Sequence, residues 1–218
     1  MVGLEVSVVI PAYQHGALLE CAVMSALDCG AGEVVIVNDA STDNTNVVGQ
    51  YLHANEARVL YMKNPFHAGV IYSRNRAIHA ATYPLILPLD ADDILLSIAP
   101  LVDAWQSGTW VYGGWNEYGV DYQAPPTGML GTKELCWITM LFSKVDWQRV
   151  GGYDPVFSVG NEVWAFQRAL LCAGVQPVRI SDIIFERNTD APNTERARAW
   201  AHIIKPLIDA KYPIRGAG

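Results

Sequence analysis

At 218 residues the chain is of one-domain size, since cores divide only beyond roughly 250 residues, and it can bury enough surface to fold without disulfides or a structural metal. Fifteen Lys and Arg against 22 Asp and Glu leave a net charge of −7, which repels a polyanion and argues against a nucleic-acid partner. Hydrophobic residues at 51% exclude a disordered chain, yet the longest apolar runs, residues 6–12 and 85–89, fall far short of the ~20 residues of a bilayer span.

No basic stretch precedes the first apolar run, which stops at Pro11. This argues against a cleaved secretory signal and for a soluble, cytoplasmic protein. Cys21, Cys29, Cys136 and Cys172 form no C-x-x-C pair and have no His at zinc-ligand spacing, so they are expected as buried free thiols.

In chain order, the β-branched run Val6-Ser7-Val8-Val9-Ile10 predicts a buried strand that Pro11 ends. Residues 17–27 read as a helix, Glu33-Val34-Val35-Ile36-Val37 as a second buried strand, and the polar stretch from Asn38-Asp39 to Thr45 as a loop. A helix capped by Ser41 or Asp43 follows to about His53, then a strand over 58–62, a helix over 69–81 and the strand Leu85-Ile86-Leu87-Pro88-Leu89. Strands alternating with helices imply a parallel sheet, with ligands at the carboxyl ends of its strands.

The second half is less regular. Residues 97–106 read as a helix, 110–122 as aromatic, Gly-interrupted strands, and 123–132, with Pro125-Pro126, as a loop. A short helix over 143–150 is stopped by Gly151-Gly152, and a longer one over 161–173 by Gly174. Residues 176–180 and 183–186 read as two edge strands, and 193–210 as a C-terminal helix.

The sharpest chemical feature is Leu89-Asp90-Ala91-Asp92-Asp93. If the strand continues, its period of two points Asp90 and Asp92 the same way, where their charges repel unless a cation such as Mg²⁺ or Mn²⁺ lies between them. The alternative is an acidic helix cap by Asp92 or Asp93. Tyr13, after Ile10-Pro11-Ala12, offers a ring face to a base, and Asp39 an acceptor for a ring N–H; ordinary turn chemistry explains both residues as well. No G-x-G-x-x-G follows a strand and no G-x-x-x-x-G-K-[ST] loop occurs, which counts against dehydrogenases and P-loop NTPases.

In combination and order these segments resemble the family 2 glycosyltransferases of GT-A fold. Val6-Ser7-Val8-Val9-Ile10-Pro11-Ala12-Tyr13 is similar to that family's opening strand, and Val37-Asn38-Asp39-Ala40-Ser41-Thr42-Asp43-Asn44-Thr45 to its second. Gly69-Val70-Ile71-Tyr72-Ser73-Arg74-Asn75-Arg76-Ala77-Ile78 is similar to its basic helix, and Leu89-Asp90-Ala91-Asp92-Asp93 to its D-x-D element. The resemblance spans about residues 4–175. It implies a single α/β domain with a Rossmann-like, mostly parallel sheet, residues 1–95 binding the nucleotide and 96–218 supplying acceptor and catalytic groups.

By that resemblance Pro11, Ala12, Tyr13, Asp39 and Ala91 would hold base and ribose. Arg74 would approach the diphosphate, and Asp90 and Asp92 would serve ribose and a Mn²⁺ or Mg²⁺ cofactor. Inverting members place a carboxylate base at the start of a late helix after a Gly-Gly turn. Here Gly151-Gly152-Tyr153-Asp154 supplies the turn and Asn161-Glu162 stands where the family usually has Glu-Asp, so Glu162 is the candidate base. Its other reading is a favourable charge in a first helical turn. Asp93, Trp115, Gly152 and Asn161 are candidates for contact with sugar or acceptor.

The family's additional His after the last strand is absent from Phe185-Glu186-Arg187-Asn188, which implies a metal held mostly by the nucleotide diphosphate. None of the five histidines falls at ligand spacing; they read as surface or packing residues, and only His67, in a loop near the expected site, invites a test. The aromatic run Trp110, Tyr112, Trp115, Tyr118 and Tyr122 is open between sugar contact and core packing.

The implied reaction moves a sugar from a nucleoside-diphosphate donor, UDP by family frequency, to the hydroxyl of a glycan, lipid-linked sugar or protein. The same Gly-Gly turn also resembles the retaining polypeptide N-acetylgalactosaminyltransferases, and a non-catalytic sugar-nucleotide binder is the alternative of another class. A chain this short leaves the acceptor site to a large acceptor or to a second copy in a homodimer.

Overall fold

β1 (Leu4–Ala12) has fully buried Val6, Val8, Val9 and Ile10, as expected for a strand covered on both faces. The computed structural model describes residues 4–131, 133–158, 160–188 and 204–213. β1 is followed by α1 (Leu19–Asp28), β2 (Ala31–Asn38), α2 (Thr45–Asn55), β3 (Val59–Lys63), α3 (Val70–Ala80) and β4 (Leu85–Pro88). These are the alternating units expected from the sequence. β1, β2, β3 and β4 pair in parallel, and the two-residue β8 (Phe142–Ser143) adds antiparallel to β4, giving the order β3-β2-β1-β4-β8.

Alternation sorts the core onto the two faces of this sheet. Val9, Val35, Val37 and Ile86 pack with Ile71 and Ala77 of α3; Val8, Ile10, Val34, Ile36 and Leu87 pack with Leu19 and Val23 of α1. The chain steps outward from β1 to β3, then returns to place β4 on the other side of β1. That reversal leaves a crevice at the carboxyl ends of β1 and β4, the usual ligand position in an open α/β sheet.

A second sheet has the order β5-β9-β6-β7, from β5 (Ile94–Leu95), β9 (Gln176–Glu186), β6 (Thr109–Glu117) and β7 (Val120–Tyr122). α4 (Ala99–Ala104) and α6 (Glu162–Cys172) pack on it, α5 (Lys144–Val150) packs on α6 and β8, and residues 204–211 are helical. Of the expected C-terminal helix, residues 193–203 lie outside the described residues.

Three expectations need correction. The strands expected at 176–180 and 183–186 are one strand, β9, which lies between β5 and β6 instead of at an edge. Gly113 and Gly114 make this possible: the ladder shifts register there, and a Cβ on Gly113 would lie 2.6 Å from the Asp182 carbonyl oxygen. The polar Ser181-Asp182 step is thus a bulge, not a turn. Neither Asp92 nor Asp93 caps a helix, because β5 follows them and α4 starts only at Ala99. Of the cysteines only Cys136 is buried; Cys29 is partly covered, and Cys21 and Cys172 are exposed on the outer faces of α1 and α6.

Among the described residues no helix is long and apolar enough to cross a membrane.

Candidate functional site

The ends of β1 and β2 are stitched by a backbone bond and by side chains that the polar sequence supplies. Asp39 N–H donates to the Ala12 carbonyl at 2.8 Å, Gln14 N–H to Ser41 Oγ at 3.0 Å, and Gly16 N–H to Asp43 Oδ2 at 3.0 Å. Asp43 also accepts from Thr45 N–H at the start of α2. Pro11 and Ala12 are buried in this seam, whereas Tyr13 emerges 41% exposed.

Asp39 is buried, accepts from three groups and lies beside a fourth. Its Oδ1 takes Asn64 Nδ2 at 2.6 Å and Ala68 N–H at 2.9 Å; its Oδ2 takes Gly69 N–H at 2.8 Å and faces His67 Nδ1 at 2.8 Å. Burial alone would push this carboxyl up, but the Ala68, Asn64 and Gly69 donors outweigh it and hold it below the usual carboxylate range. The 64–69 loop is thereby hung on β2 at the N-terminal end of α3. The His67 ring also stacks on Tyr13, with centroids 4.0 Å apart at 29°.

At the end of β4, Leu89 N–H still donates to Val9, but the chain then turns at Ala91–Asp92, where Asp93 N–H closes on the Asp90 carbonyl at 3.2 Å. The period of two therefore stops at Asp90, and the acidic residues separate by depth. The Asp90 side chain is half open, that of Asp92 is mostly covered, and Asp93 is buried, accepting Asn188 N–H at 2.9 Å. Burial and then the Asp90 charge push Asp93 up to about 8, and the same two causes raise Asp92. His15 approaches Asp92 at 3.8 Å, so one histidine read as a packing residue lies beside the acidic turn. Ala91 is buried in the turn.

Arg74, on α3, is 2% exposed and lies between two carboxylates: Nη2 is 3.3 Å from Asp90 Oδ1 and Nη1 is 3.4 Å from Glu162 Oε1. Burial would lower this guanidinium, but Asp90 and Glu162 more than reverse that and hold it charged. The Tyr153 ring lies beneath it, 5.2 Å from centroid to Cζ. Glu162 is the first residue of α6, placed by Asn161 in a left-handed conformation with φ 64°. Among the described residues four non-glycine residues have positive φ, and three of them, Gln14, Ala40 and Asn161, directly follow or precede Tyr13, Asp39 and Glu162. Such strain persists only where surrounding structure enforces it, and it concentrates at functional sites.

Three contributors were not legible in the sequence. Asn75, next to Arg74, donates to the Tyr153 carbonyl at 2.8 Å, and its Oδ1 accepts Tyr153 N–H at 2.9 Å and Trp147 Nε1–H at 3.2 Å, which pins the Gly151-Gly152 turn. Gly152 therefore packs on Asn75. Glu134, from the loop before β8, is raised to about 7 by burial and then by the charge of Glu162. Arg187 lies 4.0 Å over the Trp137 ring, pairs with Glu117 at 3.6 Å, and acts electrostatically on Asp92, Asp93 and Glu134.

Of the aromatic run, Trp110 and Tyr112 are core, and Tyr118 and Tyr122 are exposed. Trp115 stacks on Tyr122 at 5.7 Å, meets Trp137 edge-on at 6.1 Å and donates Nε1–H to Glu117 at 3.3 Å, and both Trp137 and Glu117 contact Arg187. The structure thus joins Arg74, Asp90 and Glu162 directly, and Tyr13 to Asp39 through His67.

Sheet order, crevice and acidic turn together define a GT-A glycosyltransferase fold. S. aureus TarS 1–349 in complex with UDP-GlcNAc superposes with a TM-score of 0.74 at 14% identity, over 98% of this chain and 69% of that one. Mannosyltransferase PcManGT from Pyrobaculum calidifontis, in complex with GDP-Man and Mn²⁺, gives 0.69 at 18% identity, over 98% and 70%. The profile of glycosyl transferase family 2 matches residues 7–160, and the chain belongs to that family. In sequence it is similar to glycosyltransferase YibD of Escherichia coli (strain K12), 29% identical over 162 residues, which cover 67% of this chain and 44% of that protein. The chain spans less than half the length of the curated relatives it matches.

Proposed function

We propose that the chain transfers a sugar from a nucleoside-diphosphate donor to an acceptor hydroxyl with inversion at the anomeric carbon. One observation carries this reading: the buried Arg74 joins Asp90 of the acidic turn to Glu162 of α6, residues 72 positions apart, in one cluster at the crevice. Tyr13 and Asp39 receive the base, and Pro11, Ala12 and Ala91 shape the floor beside the ribose. Glu162 takes the proton of the acceptor hydroxyl as its oxygen attacks the anomeric carbon and the bond to the diphosphate breaks. Arg74 fixes both carboxylates and adds positive charge beneath the departing diphosphate. Asp93, Asn161 and Gly152 hold the turns that carry these groups, and Trp115 borders the acceptor side.

The oxygen donors Asp90 and Asp92 fit a divalent ion such as Mn²⁺ or Mg²⁺. Among the described residues no three His, Cys, Asp or Glu side chains group as a full metal site, so diphosphate and water would complete the shell. Such an ion supplies Lewis-acid stabilisation of the leaving group.

A melting panel of UDP, GDP, CDP and dTDP, with Mn²⁺ or EDTA, tests the donor site. A ligand at about 100 Kd adds about 2.7 kcal/mol, and the shift should require Mn²⁺ and vanish in Asp92→Ala. With the matching sugar nucleotide, Glu162→Gln should lower turnover about 10²–10⁴-fold while nucleotide binding survives. Retained anomeric configuration would move Glu162 from base to binding residue; no turnover with any acceptor, with binding intact, would leave a sugar-nucleotide binder. Loss of every nucleotide shift would remove the reading.

A further inference from the structure

His67 makes, within the protein, the two contacts that a nucleobase would make. Its ring stacks on Tyr13 at 4.0 Å, and its Nδ1 stands 2.8 Å from Asp39 Oδ2. The ring thus presents a flat face to Tyr13 and a ring nitrogen to Asp39, the two features a base would bring there. Tyr13 has two faces, but only the one beside Asp39 allows stacking and the carboxylate contact together, and His67 covers that face.

We propose that His67 is an intramolecular stand-in for the base: it occupies the base position, and a nucleotide binds only as the ring swings out. The inference rests on the donor reading above and adds to it a residue that sets donor affinity. The incoming base takes over both contacts, so it must bring a ring N–H to Asp39, as uracil, thymine and guanine do and cytosine does not.

The surroundings favour a side-chain movement over a loop rearrangement. The His67 side chain is 55% exposed, whereas its loop is held through other atoms, by Ala68 N–H, Gly69 N–H and Asn64 Nδ2 on Asp39. Rotation about the His67 side-chain bonds frees Oδ2 and the Tyr13 face and leaves those three hydrogen bonds in place. The cost to the ligand is the fraction of time the position is open: a ring seated about 90% of the time raises the apparent Kd about tenfold.

The test measures Kd by calorimetry for UDP, GDP and base-free pyrophosphate, each with Mn²⁺, on wild type and His67→Ala. The expected result is about tenfold tighter binding of UDP or GDP to His67→Ala, with pyrophosphate unchanged. A second readout uses the wild type alone. Ring protons of His67, assigned by their loss in the variant, are shielded by Tyr13 in the free protein and should move to solvent-like shifts as the nucleotide is added. Nucleotide affinity unchanged or weaker in the variant, or His67 protons still shielded in the complex, overturns the stand-in and leaves the donor site standing. Absence of UDP and GDP binding to both proteins, with both folded by circular dichroism, removes the donor reading and this proposal with it.

Discussion

Gly151 and Gly152 are adjacent, both left-handed with φ of 82° and 78°, and differ in one respect. A Cβ on Gly151 would meet nothing within 4 Å, whereas one on Gly152 would lie 2.9 Å from Asn75 Oδ1 and 3.0 Å from Trp147 Nε1. Gly151→Ala should therefore cost only the left-handed penalty, about 1 kcal/mol. Gly152→Ala adds displacement of the Asn75 amide and of its hydrogen bonds to Tyr153 N–H and Trp147 Nε1–H, at about 1 kcal/mol each, for a total of about 3 kcal/mol. For a chain of this size 1 kcal/mol lowers Tm by about 2–4 °C, so melts and urea titrations resolve the two. Asn75→Ala should relieve the tightest contact while leaving that with Trp147, and Gly152→Ala made in that background should cost about 1–2 kcal/mol, a coupling of about 1–2 kcal/mol. Equal costs for the two alanines, or additive costs with Asn75→Ala, would refute the assignment of Asn75 as the pin of the turn.

Glu134, raised to about 7 mainly by burial, is protonated more readily folded than unfolded. Its contribution is thus fully present below about pH 4.5 and is lost as pH rises through 7, by up to about 3 kcal/mol; Glu134→Gln should raise Tm at pH 8 and leave it unchanged at pH 4. Asp39 behaves oppositely: its folded carboxyl is held low despite burial by the Ala68, Asn64 and Gly69 donors, so its stabilisation is present above about pH 4 and lost on further acidification. The Tm difference between wild type and Asp39→Asn should shrink as pH falls from 6 to 2.5. Cys21 and Cys172 should react with a thiol reagent in the native protein, Cys29 more slowly, and Cys136 only on unfolding, given their exposures.

The first half of the fold was legible because β1, β2 and β4 are buried on both faces, so apolar, largely β-branched runs ending in polar clusters mark them. Tyr13, Asp39 and Asp90 follow from those endings. The second half was harder for particular reasons. The bulge at Ser181-Asp182 imitates a turn unless the facing Gly113-Gly114 is known, and β5 and β8 are two residues each, too short to carry a pattern. Asn75 acts on residues 72 and 78 positions away and Arg74 on one 88 away; local spacing holds no trace of either. Glu134 owes its shifted carboxyl to burial and to the charge on another element, which composition does not reveal.

Arg74 and Asn75 are consecutive on α3, yet Arg74 holds the two carboxylates and Asn75 holds the Gly-Gly turn. Successive residues of a helix point about 100° apart, so the two grips lie in different directions around one axis. Rolling α3 either way to improve one of them spoils the other, and sliding it along its axis spoils both. The helix is keyed like a two-toothed shaft, and one extra residue inserted between Val70 and Arg74 would turn both teeth out of their slots at once.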